Sequence, residues 1–265
     1  MQECNTGCAS VNGLNVYYEI HGSGAPLVLI HGAGSTIQTS FGRVLHSFAK
    51  ERQVIAVELQ GHGHTPDTNR PWTFEQEADD VAALLKYLKI ERADFFGFSN
   101  GGNTSMQIAI RYPNLMRKLV LGSTFFKRDG LYLNFWESLN HSTLSDMPQQ
   151  LKDAYTKVAP DPGGLSKMYE KDKKRMLEFE DWKVEDIHSI NASTLIIIGD
   201  EDVVRPEHAV EMFRLFPHAR LSILPGAHGA YIGEVASGMK HSKISDLAIS
   251  IIEEFLNEPM PEKNG

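Results

Sequence analysis

The sequence predicts an α/β fold in which a mainly parallel sheet is covered on both faces by helices. Three observations predict it. Several short runs are apolar at every position, such as Leu27-Val28-Leu29-Ile30 and Leu195-Ile196-Ile197-Ile198, and strands of that kind are buried on both faces, as in parallel sheets. Amphipathic helical patterns alternate with these runs, which is the rhythm of a doubly wound sheet. The chain has 265 residues and is 42% hydrophobic, enough for one large core of this type.

The elements follow in order. Ser10-Val11-Asn12-Gly13-Leu14 carries the Asn-Gly pair of a tight hairpin, followed by the β-rich Val16-Tyr17-Tyr18-Glu19-Ile20. Pro26 introduces the Leu27-to-Ile30 run, and residues 53–59, 93–98, 118–121, 195–198 and 221–224 are further strand signals. Residues 74–89 read as a helix with Ala78, Val81, Leu84, Leu85 and Leu88 on one stripe, and Thr73 with Gln76 forms a capping-box signal at its start. Residues 100–112 form a helix stopped before Pro113, and 206–216 and 243–256 form two more. From about 125 to 190 the strand signal disappears. Helical patterns there are broken by Pro148, Pro160, Pro162 and Gly163-Gly164, so this section reads as a helical insertion between two strands. The expected organisation is a flexible leader over 1–9, a core over 10–124 and 191–258, an insertion over 125–190 and a tail over 259–265.

Composition narrows the function. The 26 Lys+Arg against 34 Asp+Glu give a formal charge of -8, and an acidic protein without a basic patch repels nucleic-acid phosphates. The densest basic run, 171–175, contains Asp172 and is followed by Glu178 and Glu180, which reads as a solvated helix face. No stretch approaches the roughly 18 apolar residues of a membrane span, and MQECNTGCAS lacks the basic and apolar regions of a signal peptide. A soluble protein is expected, cytoplasmic by default and exported only if a leader was removed. Cys4 and Cys8 are the only cysteines, too few for a disulfide framework or a four-cysteine zinc site. They read as two thiols on a loose tail, with a Cys4–Cys8 bridge as the alternative in an exported protein.

The chemistry-bearing residues lie at the ends of the apolar runs. Gly97-Phe98-Ser99-Asn100-Gly101 joins a buried strand to a helix and matches the G-x-S-x-G nucleophile elbow, where a sharp turn leaves room only for small neighbours. Such a turn holds a serine hydroxyl at a helix N-terminus, where developing negative charge is favoured. His31-Gly32-Ala33-Gly34-Ser35 follows the Leu27-to-Ile30 run, so the amides of Ala33 and Asn100 are candidates for an oxyanion hole. Gly-Lys-Ser/Thr is absent, which excludes a Walker-type phosphate loop. A serine needs a base and an orienting acid. Asp200 and Asp202 follow the 195–198 strand and His228 follows the 221–224 strand, both at strand ends where open α/β sheets place ligands.

The order Ser99, acid, His228, with His31-Gly32 after one strand and Gly61-His62-Gly63-His64-Thr65 after the next, resembles the α/β-hydrolase family over nearly the whole chain. The resemblance implies an eight-stranded, mostly parallel sheet and makes the 125–190 insertion a cap, or lid. It implies Ser99 as nucleophile, His228 as base and Asp202, in the spacing Gly-x-x-Asp, as the acid in preference to Asp200. The nearest flavour is the group of small capped esterases, haloperoxidase-like enzymes and ring- or C–C-hydrolases. Glu58-Leu59-Gln60-Gly61 departs from the family's Asp-x-Arg-Gly, with Gln60 in place of that arginine, and His62-x-His64 reads as a structural turn and not a metal site. The expected activity is hydrolysis of a small or medium-sized carboxylic ester, or similar acyl compound, through an acyl-enzyme, with no cofactor, no metal, a small-molecule substrate, and neither nucleic acid nor membrane as partner. Lactone opening, C–C bond hydrolysis of a vinylogous diketone and perhydrolysis are alternatives on the same triad, and a non-catalytic ligand-binding protein is the alternative of another class. Phe135 and Trp136 are the expected pocket residues from the insertion.

Overall fold

The structure is a computed structural model that describes residues 4–238 and 242–259. The outer ends of the expected leader and tail, and His241, lie outside the described residues. Eight strands form one sheet: β1 Cys4–Val11, β2 Leu14–His21, β3 Ala25–Ile30, β4 Arg52–Val57, β5 Ala93–Phe98, β6 Met116–Gly122, β7 Ser193–Glu201 and β8 Ala219–Ala227. Their order is β1-β2-β4-β3-β5-β6-β7-β8. β2 pairs antiparallel with β1 and β4, and every other pairing is parallel. The helices are α1 Ile37–Phe41, α2 Leu45–Phe48, α3 Phe74–Tyr87, α4 Asn100–Arg111, α5 Leu133–His141, α6 Gln149–Val158, α7 Leu165–Leu177, α8 Val184–His188, α9 Pro206–Leu215 and α10 Ile244–Asn257. None of them is long and apolar enough to cross a membrane.

Alternation along β3 divides the core in two. Val28 and Ile30 pack on one side with Leu84, Leu85, Met106 and Met212. Leu27 and Leu29 pack on the other with Phe41, Phe48, Ile252 and Phe255. Both faces need helices because both are apolar, as the uninterrupted runs require. Thr73 caps α3 by accepting from the Gln76 amide, while the Gln76 side chain turns to Asp80, so half of the capping box forms. Between β6 and β7 lie α5 to α8 and short 3-10 turns.

The leader expectation is corrected for residues 4–9, which belong to β1 and pair along their length with β2. Cys4, Asn5, Thr6, Cys8 and Ser10 are exposed, while Ala9 and Val11 are buried. An edge strand with one wet face carries little apolar signal, which is why it resembles a tail. The turn between the strands is set by Asn12 and Gly13, both at positive φ (51° and 77°), the backbone that a two-residue hairpin requires. Cys4 and Cys8 are both free. On one strand they stand about 13 Å apart, beyond the roughly 7 Å reach of a disulfide.

Deleting residues 1–9 should therefore destabilise the fold, because it strips the β1–β2 ladder and uncovers Val16. Each ~1 kcal/mol lost lowers the melting temperature of a domain this large by roughly 2–4 °C. An unchanged thermal melt would return these residues to a loose tail.

Candidate active site

The site is built on the C-terminal ends of β3, β5, β7 and β8. Ser99 sits between β5 and α4 with φ 54° and ψ -124°, a strained backbone for a residue with a side chain. Steric exclusion explains the flanking glycines. A Cβ on Gly97 would lie 2.1 Å from the Gly101 carbonyl oxygen, and a Cβ on Gly101 would lie 2.1 Å from that of Ile30.

The His228 ring bridges the other two predicted residues. Its Nε2 is 3.1 Å from Ser99 Oγ and its Nδ1 is 2.7 Å from Asp202 Oδ1. Asp202 is buried and accepts from the amides of Val204 and Gly199 and from the hydroxyl of Ser123. Burial alone would raise its pKa, but His228 and Ser123 together hold it low. Burial opposes charging of the His228 ring, and the Asp202 carboxylate outweighs it, so the imidazole pKa lies above its ordinary value. Asp200 does not reach the histidine. It accepts from the Gly226 amide instead. Ser123 escaped the sequence analysis. Its φ of 52° turns its hydroxyl between Asp202 and Tyr231, and no local motif announces that.

Ala33 and Asn100 both line the cavity beside Ser99. Asn100 opens α4, where backbone N–H groups have no helical partner. The Ala33 loop approaches closely: a Cβ on Gly32 would lie 3.2 Å from Ser99 Cβ. Glu234, also in the lining, caps the next turn by accepting from the amides of Ala236 and Ser237.

The same loop is held from above. Asp172 on α7 accepts from the Gly34 amide (2.7 Å) and from His62 Nε2 (2.9 Å), and its other oxygen accepts from Arg175 (2.5 Å). Arg175 also binds Glu77 of α3 and lies over the Phe74 ring at 4.7 Å. Glu77 accepts from Thr104 of α4. The reading of 171–175 as a solvated face is thus corrected for Asp172 and Arg175. They are i and i+3 on one helical face, both buried; Lys171 is half-buried against Asp67 and Lys173 against the Ser142 carbonyl, which leaves Lys174 as the exposed lysine of the run. His62 is therefore a cap contact, and His64 turns away to Glu58. Gln60 replaces the expected arginine by bonding Asp67, Thr68 and Arg70.

Above Ser99 lies a cavity of about 450 Å³, within the usual size of a small-molecule site. Its walls include Phe125, Leu131, Phe135, Leu139, Met147, Leu151, Met168 and Met176. Phe135 is in the lining, as expected. Trp136 is not. Its indole N–H donates to the Arg128 carbonyl, Arg128 stacks on its ring at 4.0 Å, and it packs against Phe125. Neighbours on a helix point about 100° apart, and the rotation of α5 turns Phe135 toward the cavity and Trp136 toward Arg128 and Phe125.

A family model described as the alpha/beta hydrolase fold matches residues 25–167. The 2-hydroxy-6-oxo-2,4-heptadienoate hydrolase of Pseudomonas putida is 28% identical over 231 residues, covering 76% of this chain and 81% of that protein. Among solved structures, the 2-hydroxy-6-oxo-6-phenylhexa-2,4-dienoate hydrolase of a Rhodococcus species superposes with TM-score 0.78 at 17% identity, over 97% of this chain and 100% of the other. The enol-lactonase of Burkholderia xenovorans superposes with TM-score 0.71 at 22% identity, over 95% and 100%.

A fluorophosphonate should label Ser99, and Asp202→Asn should lower turnover by roughly 10⁴-fold while Asp200→Asn costs far less; mass spectrometry and kcat measurements check both. kcat/KM should rise with pH through a value above the ordinary imidazole pKa of about 6.5, because His228 accepts a proton only when neutral.

A separate prediction concerns the cap contact. Burial opposes ionisation of Asp172, but His62 and Arg175 pull its pKa down to about 2. Its contribution is present above the unfolded pKa of about 3.9 and lost as pH falls toward 2. Burial also opposes a charged His62, and Asp172 reverses that and raises its pKa, so its share is full below about 6.5 and lost as pH rises through the folded value. The pair should stabilise most between about pH 4 and 6.5. Asp172→Asn should cost about 3–5 kcal/mol there and flatten both slopes in melts run across pH.

Proposed function

Because the chain belongs to the α/β-hydrolase fold family, we propose that it is a serine hydrolase acting on a small or medium-sized, mainly apolar acyl compound, a carboxylic ester in the first place. One observation carries the reading: the His228 imidazole stands within hydrogen-bond reach of both Ser99 and Asp202 beneath an apolar cavity. In this reading Ser99 Oγ attacks the acyl carbon while His228 Nε2 takes its proton. Asp202 keeps Nδ1 protonated and balances the imidazolium. The oxyanion of the tetrahedral intermediate faces the amides of Ala33 and Asn100. Its collapse breaks the acyl–oxygen bond, and His228 returns the proton to the leaving alcohol. Water then attacks the acyl-enzyme with His228 as base, releasing the acid and free Ser99. A lactone follows the same course with its alcohol tethered.

C–C bond hydrolysis is the second reading, favoured by the name of the Pseudomonas putida relative. That name describes a dienoate, whose carboxylate needs a cation. Lys173 and His228 are the basic side chains of the lining, against Asp146, Asp172 and Glu234. Lys173 is already donating to the Ser142 carbonyl. This balance favours an uncharged acyl substrate.

The deciding experiment is a panel of esters of increasing acyl length, lactones and vinylogous diketones, measured as kcat/KM with Ser99→Ala as the blank. Esters or lactones should lead. Phe135→Ala should shift the chain-length profile by roughly 10–200-fold between best and worst substrates. Trp136→Ala should lower the melting temperature and leave that profile unchanged. A dienoate diketone turned over best would select the second reading.

A further inference from the structure

Away from the active site, the β1–β2 ladder assembles a set of metal-ligand side chains. Cys4 is the register partner of His21. Glu19, two residues before His21 on β2, shares its face because strand side chains alternate. Cys4 Sγ is 3.5 Å from His21 Nε2, and His21 Nε2 is 2.7 Å from Glu19 Oε2. One ligand atom from each of the three residues lies within 4.8 Å of the others. The His46 ring stands beside them, its centroid 6.0 Å from that of His21. Nothing in the hydrolytic chemistry uses this group.

We propose that Cys4, Glu19 and His21 form a zinc site that ties the first residues of the edge strand to the sheet. Thiolate, imidazole and carboxylate are the three donors that zinc accepts in proteins. Tetrahedral bonds of about 2.3 Å to sulfur and 2.0–2.1 Å to nitrogen put those two atoms about 3.5 Å apart, which is the Cys4–His21 separation. Its own ligand position puts the carboxylate oxygen roughly 0.6 Å farther from Nε2 than the hydrogen-bond contact and roughly 3.5 Å from the thiolate, adjustments within reach of a cluster whose ligand atoms lie within 4.8 Å of one another. The fourth position goes to water. Cys4 is exposed, so the ion enters from solvent without opening the fold. Binding displaces the thiol proton and the proton shared by His21 and Glu19 into solution, since each ligand binds deprotonated.

Without an ion, the same residues are a polar cluster in which Tyr17 and His21 both donate to Glu19 and Cys4 adds little. The two states differ in a measurement. Untagged, full-length protein stripped with a chelator is titrated with Co²⁺ and then with Zn²⁺. The expected result is one Co²⁺ per chain, with a thiolate-to-cobalt charge-transfer band in the near ultraviolet that Zn²⁺ abolishes. Cys4→Ser should lose the band and weaken binding by more than the roughly 10–100-fold that loss of an outer-shell partner costs. Cys8→Ser should change neither. Zn²⁺ should raise the melting temperature of the wild type and of Cys8→Ser, and not that of Cys4→Ser. Fluorophosphonate labelling of Ser99, run in parallel on Cys4→Ser, reports folding independently and should be unaffected. No stoichiometric uptake, or uptake that survives Cys4→Ser, overturns the proposal.

Discussion

The candidate active site depends on one strained turn. Ser99 holds a backbone that side chains avoid, and the neighbouring structure must supply the energy that keeps it there. It does so by leaving no alternative. β5 lies between β3 and β6, the Ser99 amide is bonded to the Gly122 carbonyl of β6, and Gly97, Gly101 and the end of β3 touch backbone to backbone. A rigid sheet thus fixes Ser99 from two sides, while the loops after β7 and β8 bring Asp202 and His228 to it. The sheet order matters because it places those loops next to one another.

A second arrangement surrounds this one. The loop carrying the Ala33 amide has little hydrophobic anchoring of its own. Its Gly34 amide ends on Asp172 of the insertion, and the charge of Asp172 is balanced by Arg175 and His62. Arg175 in turn satisfies Glu77. Removing any one member leaves a buried charge without its counterpart, which is costly in a low-dielectric interior. The insertion therefore contributes electrostatic order to the site as well as apolar walls.

How much of this the sequence displays depends on whether the cause is local. The Ser99 turn is legible because its steric demand falls on residues two places away. The buried strands are legible because two-sided burial leaves uninterrupted apolar runs. β1 is obscured because an edge strand with a wet face has polar composition. Asp172 and Arg175 are obscured because a charge run looks solvated until its partners, His62 and Glu77, arrive from distant elements. Ser123 carries no signal, since its role lies in a positive φ and in Asp202, far along the chain. Phe135 and Trp136 were legible as insertion aromatics, but which one faces the cavity is set by the rotation of α5, and only packing decides that.

The chain of charges from Gly34 through Asp172 and Arg175 to Glu77 makes the cap a poor interchangeable part. Grafting a different cap onto this core would leave His62 and Glu77 facing new neighbours and the Gly34 amide without its acceptor. A working chimera would have to import the Gly34 loop and the residues at positions 62 and 77 together with the helices. For redesign of substrate scope, the natural boundary of the exchangeable unit therefore cuts across the core rather than following the ends of the insertion.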